Sequence, residues 1–225
     1  MQSIFVHVRR ASLATIIAKH IEKLNKKQLK NLIMKIAILT PTFNYYSGID
    51  RVVEQQAESY AKKGNNVTVI ALEAGIKPRN YKVISLGMPK NSFLQRLYRL
   101  LFFLDIKKIN YYKNLKKYDI AISHFYPMNW LAYLARKHYK TRYIYFNHGV
   151  NTTGLLNNIW QKSYMKIFSF LTNITLKNVD QAYSVSEYLR KDLKKVSNLD
   201  SKVIYNKIDK KRFNNKAKGS QIIKK

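Results

Sequence analysis

The 225-residue chain contains no cysteine. That excludes a disulfide scaffold, a Cys-ligated zinc site, a thiol nucleophile and an iron–sulfur cluster, and it fits an intracellular protein. Acidic residues are scarce: 12 Asp and Glu stand against 42 Lys and Arg, a formal charge of +30. A surface of that sign attracts anions, whether a membrane face, a nucleic acid or a phosphorylated substrate. No run of ~18 apolar residues occurs, so no segment reads as a transmembrane helix. An internal repeat and a low-complexity linker are also lacking. Hydrophobic residues nevertheless make up 46% and aromatics 13%, enough for a packed core and too many for a disordered chain. The length allows one domain, or two small ones, at ~100–200 residues each.

Residues 1–33 form a basic N-terminal extension, in which Arg9, Arg10, Lys19, Lys23, Lys26, Lys27 and Lys30 face one acid, Glu22. Its apolar core, Ala11 to Ala18, is short and is interrupted by Ser12 and Thr15. With no small-residue cleavage site after it, a secretory signal does not fit. The segment reads as a translated extension ahead of a domain that opens at Met34, or as an amphipathic helix on a membrane.

From Met34 onward, strand and helix patterns alternate. Lys35 to Thr40 (KIAILT) is a β-branched run, followed by a loop to Gly48 and a helical pattern from about Ile49 to Lys63. Val52, Val53, Gln56, Ala57 and Tyr60 share one inward face. Gly64 suits the position just past the helix end. Asn66 to Leu72 is the next strand, which makes a parallel pair with a right-handed crossover. Further strands are expected at Tyr81–Leu86, Asp119–Ser123, Arg142–Phe146, Gln181–Ser184 and Lys202–Tyr205. Helices are expected at Ser92–Ile106, Asn129–Tyr139, Trp160–Lys177 and Ser186–Val196, with Ser186 as N-cap. The fold class is α/β: an open, mostly parallel Rossmann-like sheet with helices on both faces.

In open parallel sheets, ligands bind beyond the carboxyl ends of the strands. The residues at those ends are Pro41, Thr42 and Ser47-Gly48-Ile49, then His124, then Asn147-His148-Gly149, then Ser184 and Ser186, then Asn206 and Asp209. Either histidine alone reads as structural. Together, at the exits of neighbouring strands, they read as a functional pair. A metal site is the weaker reading, since Asp50 is the nearest carboxylate in sequence and no His-x-x-x-His spacing occurs. Gly48 lets the backbone pass close to a ligand, and the helix start behind it offers N–H groups to an anion. An ordinary turn is the alternative, because neither glycine-rich nucleotide-binding motif is present.

One segment stands apart, NSFLQRLYRLLFFLDIKKINYYKNLKK from Asn91 to Lys117. Phe93, Leu94, Leu97, Leu100, Leu101 and Leu104 follow helical spacing, and interfacial aromatics and basic residues surround them. This suits an amphipathic helix in an anionic interface, where each basic residue contributes ~1 kcal/mol. Arg96, Arg99, Phe102, Phe103, Lys107 and Lys108 are the expected membrane-facing residues. The alternative is a core helix with a solvated basic face.

Five pieces occur in a telling order. MKIAILTPTFNYYSGIDRVVEQQAESYAKKGNNVTVIAL is a strand, loop, helix and strand. YDIAISHFYP holds Asp119 and His124 with four residues, Ile-Ala-Ile-Ser, between them, and IYFNHG is a strand ending in His-Gly. VDQAYSVSEYLRKDL and KVIYNKIDKKRF close the series. The ordered set resembles the N-terminal, acceptor-side domain of GT-B glycosyltransferases of family 4, over residues 34–213. Residues 214–225 would begin the interdomain linker, with the C-terminal donor domain absent. By that resemblance, Ser47 and Gly48 approach the sugar-nucleotide diphosphate. His124 is the catalytic residue near the transferred sugar. His148 shapes the cleft at the next strand exit, and Ser186 and Asn206 bind substrate near the domain junction. Two departures are Ser47-Gly48 where the family has Gly-Gly, and Asn206-Lys207 where it has Asn-Gly.

The resemblance implies hexosyl transfer from a nucleotide-sugar to a lipid-linked or glycan acceptor. It implies no metal and no cofactor beyond the donor, and a cytoplasmic location, peripheral at the membrane inner face. The half present is expected to be inactive alone, because the departing phosphates need positive charge that the other half supplies. A non-catalytic, membrane-peripheral acceptor-binding or anchoring subunit of a split glycosyltransferase is the alternative. Only charge and Tyr–Lys interleaving point toward a nucleic-acid binder; no recognised nucleic-acid module is present, so nucleic acid is not the expected partner.

Overall fold

The computed structural model describes residues 33–45, 47–149 and 158–206. The basic extension up to residue 32, Asp209 and the linker expected over 214–225 lie outside the described residues. Within them, a seven-stranded sheet runs in the order β3-β2-β1-β4-β5-β6-β7, and every pair is parallel. The strands are β1 (Lys35–Phe43), β2 (Asn66–Ala74), β3 (Lys82–Ser85), β4 (Ile120–Ser123), β5 (Arg142–Asn147), β6 (Gln181–Ser184) and β7 (Lys202–Val203). The helices are α1 (Gly48–Lys62), α2 (Ser92–Leu100), α3 (Ile106–Ile109), α4 (Asn129–Tyr139), α5 (Ile159–Leu176) and α6 (Glu187–Ser197).

Central strands in a parallel sheet are covered on both faces, so they carry continuous apolar runs. In β1 only Lys35 is exposed. Alternation then sorts the side chains into two cores. Ile36, Ile38, Val69, Ile122, Ile144 and Phe146 point to one face, where Val53, Ala57 and Tyr60 of α1 pack. Ala37, Leu39, Ile70, Tyr143 and Tyr145 point to the other, where Leu131, Ala132 and Ala135 of α4 pack with Leu176 and Leu193. The chain moves outward from β1 in one direction through β2 and β3, and in the other through β4 to β7. The reversal lies between β1 and β4, where open α/β sheets form their ligand crevice.

Most expected elements stand within a residue or two of their observed bounds, and α4 matches at both ends. The expected continuous helix from Ser92 to Ile106 does not form. α2 stops at Leu100, a 3-10 turn spans Phe102–Leu104, and after α3 a 3-10 segment runs over Asn110–Lys117. Asp105 causes the break, acting as the N-cap of α3 by accepting from Lys108 N at 3.1 Å. The same carboxylate accepts from Tyr98 OH at 2.8 Å, and Tyr126 OH takes the carbonyl of Leu100 at 2.8 Å. Local polar partners thus replace the helical ladder at its end.

Candidate functional site

The two histidines expected at strand exits do meet. β4 and β5 are adjacent, with Ile122 opposite Ile144. Alternation carries Ile122 to His124, and Phe146 to His148, on the face that α1 covers. His124 N donates to Leu39 O of β1 at 3.0 Å, which pins the residue at the reversal between β1 and β4. Its ring is wholly buried. Nδ1 lies 2.9 Å from His148 Nε2, and Nε2 lies 3.0 Å from Gln56 Oε1 of α1. Tyr183, Phe146, His124 and His148 make a run of near-parallel rings, their centroids 5.0, 5.2 and 5.1 Å apart in turn. His148 ends the run and is partly exposed.

Burial, then the charge of His148, holds His124 well below the usual histidine range. Burial pushes His148 down to about 4. Both rings are therefore neutral near pH 7. A neutral imidazole has one N–H and one lone pair. The ring expected to line the crevice, His124, has both nitrogens engaged inside the protein; the ring at the edge is His148.

Around this pair the other expected residues divide. Ser47 is the N-cap of α1, accepting from Asp50 N at 3.1 Å, and Asp50 in return accepts from Ser47 N at 3.2 Å and from Thr42 Oγ1 at 3.1 Å. This reciprocal cap satisfies helix-start donors internally. Gly48 is exposed, and a Cβ there would meet nothing within 4 Å. Ser186 caps α6 through Leu189 N at 3.2 Å. Asn206 is exposed beyond β7. Among the described residues, no three His, Asp or Glu side chains gather as a metal-holding group.

Two further residues support this centre: Gln56, expected only on the inward face of the first helix, and Asn147, expected at the strand exit with no role assigned to it. Gln56 is 3% exposed and touches His124 directly. A polar side chain inside an otherwise apolar helix stripe is the signal that singles it out. Asn147 ties the exit of β5 to α6, with its Nδ2 donating to Leu189 O at 3.0 Å and its Oδ1 accepting from Gly149 N at 3.1 Å. Gly149 has φ +114°, a conformation reached cheaply by glycine alone, and so turns the chain just after His148.

The expected membrane-facing set is corrected in part. Phe102 is fully buried in the second core and cannot face a lipid surface. Phe103 packs on Trp130 with centroids 6.2 Å apart. Arg99 turns inward: burial pulls its guanidinium below the usual arginine value while Tyr164, Glu73 and Asp50 lie within Coulomb range. Lys108 pairs with Asp105 at 3.1 Å and donates to Tyr98 OH at 2.8 Å. Arg96 and Lys107 remain exposed. The apolar residues that do reach solvent are Phe93, Leu94, Leu97, Leu104 and Ile106 of the α2–α3 segment, with Ile159, Trp160 and Phe170 of α5. Tyr164 OH of α5 donates to Arg96 O of α2 at 3.3 Å, which joins the two sets into one surface. No helix among the described residues is long and apolar enough to cross a membrane.

Comparison with known proteins places this geometry. A family model described as Glycosyltransferase Family 4 matches residues 46–212. No curated protein matches the chain. Among solved structures, sucrose-phosphate synthase from Thermosynechococcus elongatus superposes with a TM-score of 0.61 at 16% identity, covering 79% of this chain and 49% of that one. The Anabaena protein HepE in complex with UDP-glucose gives a TM-score of 0.55 at 15% identity, covering 78% of this chain and 44% of that one. The fold is therefore that of these enzymes' half-domains, and the chain spans about half the length of the structures it matches.

Proposed function

Because the chain belongs to glycosyltransferase family 4, we propose that it forms the acceptor-side half of a glycosyl-transfer cleft, with His148 at the carbohydrate. The observation that carries this reading is the His124–His148 contact of 2.9 Å at the carboxyl rim of the sheet. Sugars offer hydroxyl groups, and a neutral imidazole at a crevice edge accepts from one or donates to one. His124 stands behind His148 and holds it. Gly48 leaves room for a diphosphate to approach the start of α1. The donor is a nucleotide-sugar and the acceptor a lipid-linked or other glycan. Transfer of a hexosyl unit needs no metal in this scheme, so a chelator leaves it unchanged. The Anabaena relative in complex with UDP-glucose supports the donor class by likeness of fold.

A second lobe supplies positive charge for the leaving diphosphate, so the chain by itself is inactive. Radiolabelled UDP-glucose incubated with the chain and a membrane-lipid extract yields no labelled product. Fusion to the donor lobe of a family member yields product, and His148→Ala in the fusion lowers turnover roughly tenfold or more, the loss of about one hydrogen bond in a buried site. Turnover by the chain alone overturns the half-cleft assignment. Full activity of the His148→Ala fusion overturns the site.

The exposed apolar surface of α2, α3 and α5 favours a further element of the same reading, association with an anionic membrane. Basic residues such as Arg96 and Lys107 flank exposed Phe93, Leu97 and Trp160, the composition of a helix lying in a headgroup layer. A cytoplasmic protein at the inner leaflet fits it. A non-catalytic subunit that anchors a separate donor-binding protein uses the same surface, and the fusion assay separates the two: an anchoring subunit gives no His148-dependent turnover.

A further inference from the structure

Gln56 selects between two arrangements of protons, and this inference rests on the carbohydrate site read above. We propose that Gln56 is a positioning residue that sets the polarity of the His124–His148 pair, leaving the outer ring with an unprotonated Nδ1 as acceptor for a carbohydrate hydroxyl. Gln56 Oε1 lies 3.0 Å from His124 Nε2, and an amide oxygen only accepts. The proton of His124 therefore sits on Nε2. Its Nδ1 is then a lone pair, and His148 Nε2, 2.9 Å away, must donate to it. His148 has spent its single N–H inward, so its Nδ1 carries the remaining lone pair.

The opposite polarity is equally complete as a chain of bonds. If the group at position 56 donated, His124 Nδ1 would donate to His148 Nε2, and His148 would carry its proton on Nδ1. Its outer nitrogen would then be a donor. The choice is made by one amide that is 3% exposed and whose Nε2 has no partner. That unpartnered donor is the cost of presenting oxygen to the ring. Gln56 lies 68 positions from His124 in the chain and is buried, so it acts through the two rings.

The test reads the tautomers directly in the full chain labelled with 15N-histidine. It has five histidines, and His148→Gln identifies the His148 signals by their loss. Two-bond proton–nitrogen correlations distinguish Nε2–H from Nδ1–H rings. Wild type shows both rings as Nε2–H. Gln56→Leu removes the acceptor, and both rings switch to Nδ1–H, since a stranded lone pair is tolerated better than a stranded N–H. A wild-type His148 in the Nδ1–H form, or a Gln56→Leu protein with unchanged tautomers, overturns the proposal. Should Gln56→Leu fail to fold, the wild-type spectrum decides alone: His148 as Nδ1–H overturns the proposal, and Nε2–H supports it. The readout needs no substrate, so its failure leaves the transfer assay to judge the carbohydrate reading independently.

Discussion

His124 Nδ1 and His148 Nε2 stand 2.9 Å apart, a separation that holds one proton between them. Each neutral ring carries one N–H, and a proton added to either would create a cation that burial disfavours. The pair is a neutral hydrogen-bonding device, with its open end at the carboxyl rim of the sheet.

Stability should therefore depend on pH through these rings. Burial pushes His148 down to about 4, against ~6.5 in an unfolded chain. Between those values the unfolded state binds more protons than the folded one, so stability is full above pH ~6.5 and falls as pH drops toward ~4. His148→Gln removes one titrating ring and flattens this dependence. Thermal unfolding midpoints of both proteins across that window check it, and parallel slopes would refute the assignment.

Gly48→Ala should not harm folding. Its φ is not in the left-handed range and a Cβ there meets nothing within 4 Å, so restricting the unfolded chain stabilises by up to ~1 kcal/mol. In a donor-lobe fusion the same methyl group should weaken UDP-glucose binding, because it occupies the space a diphosphate would use. Calorimetry gives both quantities. Lower thermal stability contradicts the open space, and unchanged affinity removes the ligand role of Gly48.

Two phenylalanines nine positions apart should behave oppositely. Phe102 is fully buried and Phe93 is 72% exposed. Phe102→Ala should cost ~3–5 kcal/mol of stability and leave binding to phosphatidylglycerol vesicles unchanged while the protein is folded. Phe93→Ala should change stability by less than ~0.5 kcal/mol and weaken vesicle binding. Flotation and thermal unfolding on both variants measure this. Equal vesicle binding by wild type and Phe93→Ala would sink the membrane surface.

The strands and the crevice were legible in order because central parallel strands repeat one chemical pattern. KIAILT, DIAIS and YIYF are apolar runs that end in polar or turn-forming residues, and their ends mark the rim. Ser186 as an N-cap was readable for a similar reason, since a cap acts on residues three places away. The broken helix after Ser92 was not readable. Its apolar spacing continues past Leu100, and the interruption depends on Tyr126 and on a carboxylate with three donors nearby. Phe102 was assigned to the wrong side for that reason: once the helix stops, its angular phase no longer predicts the facing direction.

Local pattern alone established an α/β chain with two histidines at neighbouring strand exits and a glycine before the first helix. Those features follow from periods of two and 3.6 residues, which any short stretch reveals. Which histidine is enclosed and which is left partly exposed was decided only by packing. His124 is enclosed by Gln56, Phe146 and His148, partners that lie 22 to 68 positions away along the chain and reach it from α1 and from β5 with its exit. A proton's position in such a cluster depends on the atoms around it, and no interval in the linear order encodes that neighbourhood.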